Sequence, residues 1–145
     1  MLEQKAAYPV DLHSHTTNSD GNDTYEESIR SAAARGLSVL AITDHDVIPL
    51  SEITVDGRQV SPVVFAKELG LILLPATELS CDTNVDDVHI IGLGCDFSGK
   101  AFQEFEDSMS ESKIRSYRKL TEVLCDNGMH VTWDMVLENN GKPLM

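Results

Sequence analysis

Residues 37–46 read LSVLAITDHD, an apolar run that breaks abruptly into aspartate, histidine and aspartate. A short, nearly continuous apolar run rich in branched side chains reads as a strand covered on both faces, as in a parallel sheet. The residues on its N-terminal side support that reading. DTYEESIRSAAARG (23–36) carries a capping box, with Thr24 as N-cap and Glu27 three residues on. Ile29, Ala32 and Ala33 give this helix a small apolar face, and Gly36 stops it. On the C-terminal side the pattern repeats. SPVVFAKELG (61–70) has Ser61 as N-cap, Pro62 at the first helical position and Gly70 at its end. LILLPAT (71–77) is a second apolar strand ending at Glu78, and VHIIGLG (88–94) is a shorter one opening at His89. YPVDLHSH (8–15) reads as the first strand. Lys100 to Asn127 is a long polar helix or helix pair closed by Gly128, and TWDMVLENNG (132–141) is one further short helix. Strands alternating with helices predict an α/β fold with parallel strands. Leu37, Val39, Leu40, Ile42, Leu71, Ile72, Leu73 and Leu74 are its expected core.

At 145 residues the chain suits one domain, 1–145, with 41% hydrophobic and 24% charged residues, ordinary values for a globular protein. A net charge of −13 argues against a general nucleic-acid or anionic-membrane surface. It leaves room for an anionic substrate, because bound divalent cations reverse the local potential. Cys81, Cys95 and Cys125 form no C-x-x-C pair and read as small buried or half-buried residues in a reducing, cytoplasmic compartment. No apolar run approaches a membrane span, and MLEQKAAYP lacks the apolar centre of a signal peptide.

In α/β folds with parallel strands, sites gather at the carboxyl ends of the strands. His13 and His15 close the first strand, Asp44 and His45 follow the second, and Glu78 follows the third. Along an extended strand Asp11, His13 and His15 share one side, so an H-x-H pair offers two ring nitrogens to one point. Asp20, on the turn Ser19-Asp20-Gly21, is near enough to bend back toward it. Imidazoles mixed with carboxylates suit Zn, Mn or Fe rather than Mg or Ca. A carboxylate such as Glu78 is able to bridge two cations, as two-metal hydrolysis of phosphate esters requires.

DLHSHTTNSDG, AITDHD, LLPATELS and VHIIGLGCDF, in this order, resemble the PHP (polymerase and histidinol phosphatase) domain family, and the chain is most similar to its small bacterial phosphoesterases of nucleotides and short oligonucleotides. The resemblance implies the N-terminal portion of a distorted seven-stranded β/α barrel. It implies metal ligands at His13, His15, Asp20, His45, Glu78 and His89, with Asp11 and Asp44 orienting the histidines. It further implies two or three divalent cations (Mn, Fe or Zn) in a complete site, and attack on phosphorus by a metal-bound hydroxide; no catalytic acid or base is identified. Arg115 and Arg118 lie near where this branch carries basic residues that meet phosphate, but a solvated helix face is the stronger reading of them. Asp46 reads as a site residue or a solvated turn acid, and His130 as an exposed histidine after a helix stop. Two departures stand out. Ala76 occupies a position where the family usually has glycine, and the later motifs, a histidine after an arginine and a C-terminal D-x-H, do not occur before the chain ends at NNGKPLM. The alternatives are a histidinol-phosphate-type phosphatase and a non-catalytic metal-binding or interaction module, self-associating through an open sheet edge.

Overall fold

The computed structural model describes residues 9–84 and 87–139. The expected start of the first strand at Tyr8, the segment MLEQKAAY, and the end of the last helix at Asn140 and Gly141 lie outside them. Four strands form the main sheet: β1 (Val10–Asp11), β2 (Val39–Ile42), β5 (Ile72–Asp82) and β6 (Asp87–Leu93), in the order β1-β2-β5-β6. β1 and β5 flank β2 in parallel, with Val10 opposite Val39 and Leu40 opposite Leu73. Helix α1 (Tyr25–Ala34) connects β1 to β2, and α2 (Pro62–Glu68) precedes β5. α1 begins with the expected capping box: Thr24 Oγ1 accepts the Glu27 amide at 3.3 Å and the Glu27 carboxylate accepts the Thr24 amide at 2.8 Å. Gly36 and Gly70 end these two helices with φ of 80° and 78°, where an L side chain would be strained.

The core lies where α1 and α2 pack on the sheet. Tyr25, Ile29 and Ala32 of α1 meet Leu40 and Ile42 of β2, Phe65 and Ala66 of α2, and Leu71 and Leu73. Leu37 packs partly against this cluster, while Val39 and Leu74 are half-buried. Ile72 departs from expectation. It is 59% exposed, because it points to the face opposite Leu71 and Leu73. Cys95 and Cys125 are likewise exposed, and Cys81 half-buried.

Other elements correct the sequence reading. β6 runs antiparallel to β5, from Ala76 opposite Leu93 to Asp82 opposite Asp87. The connection between Asp82 and Asp87 is far too short for the crossover that a parallel neighbour needs. β5 therefore does not end at Glu78; it continues into a hairpin that places His89 near the start of its partner. A second hairpin, β3 (Ile53–Val55) with β4 (Arg58–Val60), has no counterpart in the sequence reading. Its turn residues Asp56 and Gly57 both have positive φ, 48° and 76°, the pair a tight hairpin needs. Ile53 and Val55 are buried there, extending the core beneath α1.

The polar segment after β6 is a single helix, α3 (Lys100–Asp126), closed by Gly128 at φ 85° and followed by α4 (Trp133–Asn139). Its one buried residue is Thr121. Among the described residues, no helix is long and apolar enough to cross a membrane. β1 and β6 are the edges of the main sheet, and Val88, Ile90, Ile91 and Leu93 of β6 are exposed.

Alternation along β5 separates the effects of neighbouring truncations. Leu73→Ala is expected to cost about 2–5 kcal/mol in chemical denaturation, the range for a buried leucine. Ile72→Ala, one residue away on the open face, should cost under about 1 kcal/mol.

Candidate metal centre

The site grows from the point where β1 and β2 give up regular pairing. After Asp11 the chain stays extended beside β2, held by the Thr43 amide donating to the Ser14 carbonyl at 2.7 Å and by Ser14 Oγ donating to the Ala41 carbonyl at 2.9 Å. Alternation then turns His13 and His15 to one side, their Nε2 atoms 3.5 Å apart. A tight turn comes next, in which the Ser19 and Gly21 amides both donate to the Thr16 carbonyl. Gly21 has no room for a side chain, since a Cβ there would overlap the His15 carbonyl and the Thr16 amide. That close approach brings Asp20 back over His15, with Oδ1 3.3 Å from Nδ1.

Asp44 ties this turn to the sheet. Its buried carboxylate accepts the Thr16 amide and the Thr16 hydroxyl, each at 2.6 Å, and the Ser19 hydroxyl at 2.8 Å. One residue on, His45 forms a parallel bridge with Glu78: the Glu78 amide donates to the Asp44 carbonyl at 3.2 Å, and the Asp46 amide to the Glu78 carbonyl at 2.8 Å. The β2–β5 register is thereby carried past the end of β2 to the site itself. On β6, His89 sits opposite Ser80, close enough for its Nδ1 to lie 2.8 Å from Glu78 Oε1.

Glu78 is the centre. It is 5% exposed, and its Oε2 lies 3.2 Å from His15 Nε2, 3.6 Å from His45 Nδ1 and 3.7 Å from His13 Nε2. Asp20 Oδ2 is 3.8 Å from His45 Nε2. The structure thus brings together all six residues singled out as ligands, in three overlapping groups: His13, His15 and Glu78; His15, Asp20 and His45; His45, Glu78 and His89. Among the described residues, the buried Glu78 Oε2 and His45 Nδ1 have no hydrogen-bond partner. Buried polar atoms left without partners are costly, so two of them facing each other suit a cation between them.

Neighbouring hydroxyls orient the rings. Thr43 Oγ1 donates to the Ser14 carbonyl at 3.2 Å and lies 2.9 Å from His13 Nδ1. Thr43 Oγ1 thereby holds the His13 ring by its Nδ1 and leaves Nε2 facing Glu78. Ser19 Oγ, whose proton goes to Asp44, stands 3.5 Å from His15 Nδ1. This corrects the expectation for Asp11 and Asp44. Asp11 accepts the His13 backbone amide at 3.2 Å, and Asp44 accepts from Thr16 and Ser19, so both act on the backbone and hydroxyls rather than on the imidazoles. Thr43 and Ser19 escape the sequence reading, although both adjoin the motif residues singled out by it.

Asp46 is buried rather than a solvated turn acid. Burial alone would push its carboxyl up, but Lys113 Nζ at 2.9 Å and the Ser80 amide at 2.7 Å outweigh it and hold it below the usual carboxylate range. Burial, reinforced by the nearby Asp44 charge, pushes the Tyr25 hydroxyl well above its ordinary value. The cation that α3 sends inward is therefore Lys113. Arg115 is exposed beside Glu111, and Arg118 stacks 4.8 Å over the Trp133 ring. His130 is exposed.

A family model described as "PHP domain" matches residues 11–130. The chain is 32% identical over 127 residues to the 5′-3′ exoribonuclease Rnm of Salmonella typhimurium, covering 88% of this chain and 41% of that protein. It is 33% identical over 111 residues to the 3′,5′-nucleoside bisphosphate phosphatase of Chromobacterium violaceum, covering 77% of this chain and 36% of that one. A solved structure described as a metal-dependent phosphoesterase from Bifidobacterium adolescentis superposes with a TM-score of 0.69 at 27% identity, over 95% of this chain and 46% of the other. The chain spans less than half the length of these relatives, and its α/β sheet corresponds to the N-terminal portion of their barrel.

The two aspartates near the histidines carry different weights. Asp44→Ala would strand three donors in the turn and is expected to cost at least about 3 kcal/mol. Asp11→Ala, which loses one exposed backbone contact, should cost under about 1 kcal/mol in the same urea titration.

Proposed function

The chain belongs to the PHP domain family, and we propose that it carries the N-terminal part of a metal-dependent phosphoesterase acting on nucleotides or short oligonucleotides. The observation that carries this reading is the buried Glu78 carboxylate, ringed by His13, His15, His45 and His89, with one oxygen that accepts no hydrogen bond from the described residues. His13, His15 and Glu78 would hold one divalent cation, and Glu78, His45 and His89 a second, with Glu78 shared; Asp20 stands ready at the exposed rim. The mixed nitrogen and oxygen donors suit Mn, Fe or Zn. When bound, such cations supply Lewis acidity toward phosphate oxygens and lower the pKa of an attacking water.

The chain's own residues prepare that chemistry. Thr43 holds the His13 ring by its Nδ1 so that Nε2 points inward toward Glu78. Asp44, through Thr16 and Ser19, fixes the turn that carries Asp20. A net charge of −13 repels a phosphate ester unless cations stand between, so the site's metal would also be its substrate anchor. Support for nucleic-acid phosphates as substrates comes from the relatives, named as an exoribonuclease and a nucleoside bisphosphate phosphatase.

Metal analysis of purified protein tests the reading. Wild type is expected to retain Mn, Fe or Zn, while His45→Ala and Glu78→Gln lose roughly tenfold or more in Mn affinity. Both should keep the far-ultraviolet circular dichroism of the fold, because neither residue belongs to the apolar core. Hydrolysis of a nucleoside 3′,5′-bisphosphate with added Mn, suppressed by a chelator, completes the test. Protein that stays empty on reconstitution overturns the proposal, and protein that fills with Mn yet turns over no phosphate ester reduces it to a metal-binding module.

A further inference from the structure

Asp46 is a strained residue in a costly place. It follows His45, has φ 57°, and its side chain is 1% exposed. A non-glycine residue in the left-handed region persists only where its surroundings hold it there. Here its amide donates to the Glu78 carbonyl at 2.8 Å, and its Oδ1 accepts the Ser80 amide at 2.7 Å, both on β5. Its other oxygen, Oδ2, meets Lys113 Nζ at 2.9 Å, from α3. Two helical turns before Lys113, on the same face of α3, Glu106 Oε1 accepts the Ile48 amide at 3.1 Å. α3 thus grips residues 46–48 at two polar points, although it buries only Thr121 of its own.

We infer that Lys113 is a positioning residue for cation binding: through the Asp46 carboxylate it holds the left-handed turn that sets His45 against Glu78. This rests on the metal reading proposed above. Lys113 is not assigned as a ligand or a substrate contact. Its side chain is 28% exposed, and its ammonium is committed to a buried carboxylate. Without it, the buried carboxylate would keep only the Ser80 amide and hydroxyl and lose its one countercharge, and an unpaired buried charge is strongly unfavourable. The turn would relieve that by letting Asp46 swing toward water. Its neighbour His45, whose buried Nδ1 now lies 3.6 Å from Glu78 Oε2, would lose its fixed approach. Residues that orient metal ligands are worth about 10–100-fold in metal affinity, and this is the scale expected.

The test is a titration of the full chain with Mn alone, followed by calorimetry, for wild type, Lys113→Met, Lys113→Arg, Asp46→Asn and the Asp46→Asn/Lys113→Met double variant. Lys113→Met should weaken Mn binding about tenfold, and Lys113→Arg should restore most of it. The double variant should bind no worse than Asp46→Asn, since two residues in one chain of effect are not additive. Lys113→Gln serves the same comparison if the methionine variant fails to fold by circular dichroism. Mn affinity of Lys113→Met within about twofold of wild type, or additive losses in the double variant, would overturn the inference while leaving the metal reading intact. So would a variant whose Mn affinity is unchanged and whose KM for a phosphate ester rises, which would make Lys113 a substrate contact. A wild-type chain that takes up no Mn removes the metal reading, and this inference with it.

Discussion

Taking a carboxylate out of water costs several kcal/mol unless its charge is compensated, and the architecture around Glu78 is organised about that cost. The side chain is 5% exposed, with one oxygen 2.8 Å from His89 and the other facing His13, His15 and His45. Strand pairing alone does not bury a glutamate in this way. The register of β2 against β5 has to continue beyond Ile42 and Pro75, so that His45 bridges to Glu78. β5 also has to run on past Glu78, so that β6 can fold back and deliver His89. A slip of one residue between β2 and β5 would turn Glu78 away from His13, His15 and His45, and a slip of β6 would turn His89 to the opposite face.

Around this centre the polar groups connect the loops to the sheet. Asp44 is the most heavily used, with three short hydrogen bonds to Thr16 and Ser19 across a sequence gap of more than twenty residues. Those bonds fix the turn of Asp20, while Gly21 lets the backbone of that turn press against His15. Asp46 does the corresponding work on the far side of His45, joining β5 through the Ser80 amide and α3 through Lys113. The two buried aspartates of the DHD triplet are thus structural ties on either side of a histidine that faces the site. Charge type alone does not separate these roles in a string of letters; the alternation of side chains and the partners they meet do.

Much of this is legible in sequence because it depends on local rules. The LSVLAIT run, the capping box at Thr24 and the glycine stops describe elements whose causes lie within a few residues, and the structure has them all. The six candidate ligands are legible for another reason: their residue types are rare together, and they fall where strands end or adjoin. The features that sequence misstates have other causes. The direction of β6 is set by the brevity of its connection rather than by its apolar pattern, which is the same for a parallel strand. Ile72 looks like core until one knows which face of β5 α2 covers. The β3–β4 hairpin is a different case, since Asp56-Gly57 between ITV and RQV is a strong local turn signal that the sequence reading passes over. Asp11 shares a strand face with the histidine rings, but a carboxylate two residues upstream reaches the His13 amide first.

The overlap of the three donor groups has a consequence for how such a site would fill. A neutral imidazole has one lone pair, so His15 cannot serve Glu78's group and Asp20's group at once. The same holds for His45, whose Nδ1 faces Glu78 and whose Nε2 faces Asp20. Glu78 differs, since its two oxygens can each take a cation. Two cations sharing Glu78 would therefore use His15 and His45 fully and leave Asp20 to water. A cation at Asp20 would instead draw one or both imidazoles away and thin the shells beside Glu78. With cations bound, the groups would be competitors linked through two rings, and filling one would alter the donors available to the others. Behind those rings stand residues outside the three groups: Ser19 Oγ, bound to Asp44, lies 3.5 Å from His15 Nδ1, and Asp46, paired with Lys113, follows His45 in the chain.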